Sequence, residues 1–117
     1  MDMNTNVPKD IVDKVFEAIE LAKKTGKIKK GTNETTKVIE RGLAKLVVAA
    51  KDVNPKEVVM HLPALCEEKG ILFVPVDSRE DLGAAAGLVI PTSSVAIIQE
   101  GDAKKIIKEI QTKLGKE

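Results

Sequence analysis

KIKKGTNETTKVIER, residues 27–41, reads as a short strand, a glycine turn and a helix in immediate succession. Lys27, Lys29 and Lys30 precede Gly31. Thr32 is placed to cap a helix over residues 33–41, its hydroxyl accepting a hydrogen bond from a backbone N–H two or three residues on. Asn33, Lys37 and Arg41 recur every four residues and so share one side of that helix. Glu34 falls in the first turn, where the helix dipole favours a carboxylate. A helix start with free N–H groups, flanked by cations and bearing both donors and acceptors, attracts phosphate and can read base edges. Finishing the helix cap would also account for Asn33 and Glu34, so spacing alone leaves both readings open.

Working outward, strands and helices alternate. Residues 9–24 place Ile11, Val12, Val15, Phe16, Ile19 and Ala22 on one stripe, which predicts an amphipathic helix. Pro8 suits its first turn and Gly26 its end. After the helix over 33–41 and Gly42, residues 43–50 read as a buried strand centred on Leu46, Val47 and Val48. A turn at residues 52–55 leads to a helical segment near 56–61. Pro63 then starts a helix that runs to Lys69 and stops at Gly70. Residues 71–76 form the next strand. Ser78 followed by Asp81 signals a short helix through Ala86. Residues 87–94 are a loop, 95–99 a strand, and Asp102 caps a last helix to about Leu114. The alternation predicts one α/β domain over residues 1–117, a three-layer α/β/α sandwich with a small mixed sheet.

Composition narrows the function. The 117 residues suffice for one core, and 43% apolar with 32% charged residues suits a soluble globular chain. Phe16 and Phe73 are the only aromatics, which disfavours RNA binding through an aromatic stacking platform. The single Cys66 excludes an intramolecular disulfide and a cysteine-based metal cluster. No stretch is apolar enough to cross a membrane, and MDMNTNVPKD lacks the basic and apolar regions of a signal peptide, so a soluble, cytoplasmic protein is expected. Charge is polarised: residues 23–51 hold nine Lys/Arg against Glu34 and Glu40, a net of +7, and the chain total of +1 leaves −6 for the rest. Such polarity fits a local anionic partner, or a lysine-rich solvated face.

Catalytic candidates do not hold together. His61 and Cys66 are five residues apart with Pro63 between them, and read more simply as a helix-terminal histidine and a buried thiol. Asp77, Glu80 and Asp81 fit capping and a solvated first turn. GAAAG at 83–87 lacks the ending of a phosphate-binding loop, and its small residues are expected to permit close helix packing. No catalysis, metal or cofactor is therefore expected. The loop is different: Leu88, Val89, Ile90 and Pro91 put apolar side chains where polar ones are usual, as a contact surface or as a core plug. The hydroxyls of Thr92, Ser93 and Ser94 follow. A carboxylate only accepts hydrogen bonds, so Glu34 needs a donor from its partner. A-form RNA hides its base edges, whereas a sheared G·A pair leaves the guanine imino N–H and carbonyl free, for Glu34 on the one hand and Asn33 and Lys37 on the other.

GTNETTKVIERG at 31–42, AAKDVNPKEVVMHLPALCEEKGI at 49–71, DLGAAAG at 81–87 and SSVAIIQEGD at 93–102 together resemble the archaeal large-subunit ribosomal protein L-seven-Ae family. The resemblance runs from about Pro8 to Leu114. It implies an α/β/α sandwich that binds kink-turn and kink-loop RNA in ribosomal RNA, box C/D and H/ACA guide RNA and RNase P RNA, beside the proteins of those particles. It further implies that Asn33, Glu34 and Lys37 read sheared G·A pairs, with Lys30 and Arg41 near phosphates and Gly31 and Thr32 at the helix entrance. Leu88, Val89, Ile90 and Pro91 would pack on a flipped-out nucleotide. The loop's LVIP lacks a charge some relatives place there, and LFVPV at 72–76 departs from the usual Pro-Tyr pattern. The chain is expected to be a monomer when free. The competing expectation is a small α/β protein-interaction module without specific RNA binding.

Overall fold

The computed structural model describes residues 1–115. Its helices are α1 (Lys9–Thr25), α2 (Thr32–Glu40), α3 (Glu57–Met60), α4 (Leu62–Lys69), α5 (Arg79–Ala85) and α6 (Lys104–Lys113). Its strands are β1 (Lys27–Lys30), β2 (Leu46–Ala50), β3 (Leu72–Val76) and β4 (Ser94–Gln99). The four strands form one sheet in the order β1-β4-β2-β3. β4 runs antiparallel to both β1 and β2, and β2 and β3 are parallel, so the sheet is mixed. A parallel pair requires a crossover, supplied here by α3 and α4.

Two helical layers cover the sheet. α1 packs on β1, β4, α5 and α6, while α2 packs on β1, β4 and α4. α5 packs on β2 and α4 on β3, so both strands are covered although β3 lies at the sheet's edge. That explains why every residue of β2 and β3 is buried, in near-continuous apolar runs rather than alternation. The core joins Ile11, Val15 and Ile19 of α1 with Val47, Val48, Val74 and Ile97 of the sheet. α1 and α6 are also clasped by charge: Lys14 Nζ lies 3.0 Å from Glu109 Oε2, and Lys113 Nζ 3.5 Å from Asp10 Oδ2.

Several boundaries differ from the sequence reading. Pro8 is the residue before α1 rather than part of its first turn. α4 begins at Leu62, with Pro63 inside its first turn. The strand expected from residue 43 starts at Leu46, because Gly42 and Leu43 are used to close α2: their N–H groups donate to the Ile39 and Val38 carbonyls. Asp102 does not cap the last helix. It lies in a 3-10 turn over Gly101–Ala103, and its N–H donates to Thr25 Oγ1 at 2.8 Å. Ser78 does cap α5, its Oγ accepting from the Asp81 N–H at 3.1 Å.

Candidate nucleic-acid interface

The turn before α2 is built on Gly31. Its φ of 89° and ψ of 155° belong to a region essentially reserved for glycine. Its N–H donates to the Ser94 carbonyl at 2.9 Å, and its own carbonyl accepts from the Thr35 N–H at 3.0 Å. The helix thus starts one residue earlier than read from the sequence. Thr32 is not the cap but the first helical residue, and its hydroxyl is engaged with Ser93 Oγ at 2.7 Å. No side chain caps this end. Among the described residues, the N–H groups of Thr32, Asn33 and Glu34 have no protein acceptor. Three free donors and the positive end of the helix dipole therefore face solvent together.

α2 is held from below. Thr35, Val38 and Ile39 are buried, and burying such aliphatic side chains is worth about 1.5–3 kcal/mol each. Thr35 is buried with its hydroxyl accepting from Ser94 Oγ at 3.2 Å. At 3.6 residues per turn, Asn33, Glu34, Lys37 and Arg41 fall within roughly 100° of arc, away from the buried stripe. All four are exposed and make no hydrogen bond or ion pair with a described side chain. Asn33, Glu34 and Lys37 share the amino-terminal half of the helix. Arg41 does not join them: eight residues beyond Asn33, it stands about 12 Å away along the axis. Lys30 ends β1 beside the turn and is exposed, as are Lys27 and Lys29.

The apolar loop belongs to the same surface. It leaves α5 through a glycine-terminated cap: Gly87, at φ 79°, donates to the Ala84 carbonyl, and Leu88 to the Gly83 carbonyl at 2.9 Å. The Thr92 N–H donates to the Arg79 carbonyl at 3.1 Å, so the loop folds back along α5. Leu88 is half-buried against the core, while Val89, Ile90 and Pro91 are exposed. One apolar residue is thus a plug and three stand exposed to solvent. The Thr32–Ser93 hydrogen bond joins the end of this loop to the start of α2. From Ser93, Ile90 lies within a chain reach of about 11 Å.

Two features of this junction were hidden in the sequence. Gly83 does not serve helix packing: a β-carbon there would meet the carbonyl oxygen of Ile90 in the loop backbone. The hydroxyls of Thr32 and Ser93, and of Thr35 and Ser94, form two pairs across the junction. The only sequence signal for them is the run of hydroxyl residues on each side. Of the candidates outside the interface, Asp77 and His61 have structural partners. Lys51 Nζ is 3.8 Å from Asp77 Oδ1. His61 Nε2 pairs with Thr36 Oγ1 at 2.8 Å. Cys66 is buried, and desolvation pushes its thiol pKa up to about 12. No described helix is long and apolar enough to cross a membrane.

Residues 13–107 match the model of the Ribosomal protein L7Ae/L30e/S12e/Gadd45 family. The chain belongs to that family. The match contains both α2 and the loop over residues 87–94. Among solved structures, the Giardia lamblia 15.5kD RNA binding protein is 30% identical with a TM-score of 0.90. The alignment covers 97% of this chain and 94% of that one. The family fold is therefore present essentially whole, with the exposed start of α2 and the apolar loop among its described parts.

Proposed function

We propose that this member of the family is a single RNA-binding unit that recognises kink-turn and kink-loop RNA and performs no covalent chemistry. The observation that carries the reading is the uncapped start of α2: three free N–H groups, the exposed Asn33, Glu34 and Lys37, and a hydrogen-bonded junction to an apolar loop. In this reading Glu34 accepts the guanine imino N–H of a sheared G·A pair, and Asn33 and Lys37 donate to its carbonyl. Gly31, Thr32 and Lys30 line the path of the backbone, with Arg41 on a phosphate farther along α2. Val89, Ile90 and Pro91, backed by Leu88, pack on an unstacked nucleotide.

The mechanism is a shift of population. A sharply bent RNA is a minor state because its phosphates crowd. Moving such an equilibrium from 1:99 to 99:1 takes a preference of about 5.5 kcal/mol for the bent form. A good base contact supplies about 1–3 kcal/mol, so Glu34 alone does not suffice, while the three side chains with phosphate neutralisation do. Ribosomal RNA, box C/D and H/ACA guide RNA and RNase P RNA are the targets this chemistry fits, with the protein acting in those particles in the cytoplasm. The Giardia protein, described as RNA-binding, supports the reading.

A doubly labelled kink-turn oligonucleotide tests binding and bending at once. Addition of the protein should shorten the end-to-end distance, and Glu34→Ala should weaken binding to it roughly 10- to 100-fold while barely changing duplex binding. Equal weakening of both would reject base reading. No binding at all, with capture of a defined protein partner through Val89 and Ile90, would favour the interaction module instead.

A further inference from the structure

Lys23 lies 64 residues before Gly87 in sequence, on the last turns of α1, yet the fold brings it to the apolar loop. Its Cδ, Cε and Nζ occupy the space into which a β-carbon on residue 87 would project. Gly87 is at φ 79° and is the second residue past α5. The absence of a side chain there is what allows a lysine to lie against the loop's entry. α5 itself carries no basic residue in its last turn, so Lys23 brings a cation close to the helix's C-terminal end. No carboxylate lies within ion-pair distance of Lys23 among the described residues. Its three donors are therefore not committed to an acidic neighbour.

Lys24 provides the contrast. It is also exposed and follows directly in sequence, but none of its atoms is among the nearest to the space beside Gly87. From Gly87 the chain passes Val89 and Ile90 and reaches Ser93, which is bonded to Thr32. A cation thus stands at one end of the loop and the free N–H groups of α2 beyond the other, with at most about 22 Å of chain from Gly87 to Ser93 between them. Both ends favour an anion, and the apolar tip lies between them.

We propose that Lys23 extends the RNA-binding surface: it contacts a backbone phosphate of the strand that passes over residues 87–91. The proposal rests on the RNA-binding reading above. It adds a contact contributed by the helical layer on the other side of the sheet from α2. The residue binds as a point charge and carries no sequence information.

The test is a salt titration of kink-turn RNA affinity with the wild-type chain, Lys23→Gln, Lys24→Gln and Lys23→Arg. Loss of one phosphate contact lowers the slope of log affinity against log salt by about one unit. Lys23→Gln should show that drop with roughly fivefold weaker binding at about 0.1 M salt, Lys24→Gln should show neither change, and Lys23→Arg should keep the wild-type slope. Weaker binding at an unchanged slope would overturn the proposal and make Lys23 a clasp for the loop. No change, or equal drops for both glutamine variants, would overturn it too. Glu34→Ala measured alongside separates the two levels. If Glu34→Ala weakens kinked-RNA binding far more than duplex binding, failure at Lys23 leaves the base-reading proposal standing.

Discussion

Gly83→Ala sets two physical expectations against each other. Gly83 lies inside α5, where alanine is favoured over glycine by about 1 kcal/mol. On helix propensity alone the variant should be more stable. Its β-carbon, however, would meet the Ile90 carbonyl oxygen and come within 3.1 Å of Pro91 Cα and 3.2 Å of the Ile90 carbonyl carbon. These are backbone atoms that no rotamer change can clear, and overpacking of this kind costs about 1–3 kcal/mol. The net expectation is destabilisation of up to about 2 kcal/mol. The strain should be relieved by lifting the loop off α5. Urea denaturation reads the first quantity. Amide exchange reads the second: the Leu88 N–H, bonded to Gly83, and the Thr92 N–H, bonded to Arg79, should lose protection while β2 and β4 amides keep theirs. Kink-turn affinity should fall roughly tenfold because the tip no longer stands where Thr32 and Ser93 hold it. A variant stabilised by about 1 kcal/mol, with unchanged exchange and unchanged affinity, would refute the seat that Gly83 is argued to provide.

Cys66 should resist alkylation in the folded protein at mildly alkaline pH and react once urea opens the core, because burial raises its thiol pKa to about 12; mass spectrometry of iodoacetamide-treated samples reads this, and rapid labelling without denaturant would contradict the burial. The Lys14–Glu109 pair should show in acid. Lys14 beside Glu109 holds that carboxyl below the usual range, so its stabilising contribution is present above the unfolded pKa and is lost as pH falls through the folded one. The same pair raises Lys14, whose contribution is present through neutral pH and lost only in strong alkali. Thermal melts of the wild type and Glu109→Gln should therefore differ near neutral pH and converge in acid, and a gap that persisted at low pH would sink the assignment.

The fold was legible because its elements are punctuated by residues with few alternatives. Gly42, Gly70 and Gly87 all sit at positive φ where helices end, and each boundary was readable from the glycine alone. The apolar run at Leu46, Val47 and Val48 could only be satisfied by a strand covered on both faces. Reading failed where the backbone took a partner from far along the chain. Thr32 looked like a cap because a hydroxyl beside a helix start usually is one. Nothing local announced that Ser93, 61 residues away, would occupy it. Asp102 misled in the same way: its N–H goes to Thr25, 77 residues earlier, and the chain there tightens into a 3-10 turn. The exposed arc of Asn33, Glu34 and Lys37 on α2 was visible from spacing, whereas Gly83 and Lys23 acquire their places only when α5, the loop and α1 meet.

The separation of anchoring from recognition within α2 makes the binding experiments interpretable. Thr35, Val38 and Ile39 fix the helix, and none of them lies on the arc that carries Asn33, Glu34 and Lys37. Removing the Glu34 carboxylate costs the helix the favourable charge–dipole term of its first turn, about 0.3–1 kcal/mol. A base contact is worth about 1–3 kcal/mol, so a large loss of affinity cannot arise from unfolding of a helix so firmly seated. The link between α2 and the loop works the other way. Gly31 donates to Ser94, Thr32 pairs with Ser93, and Ser94 donates to Thr35, so the two surfaces share one set of hydrogen bonds. Displacing the loop must therefore disturb the start of α2. Variants on the two sides of the junction should be non-additive in binding, while Glu34 and Arg41, about 10 Å apart along the helix axis, should contribute nearly independently.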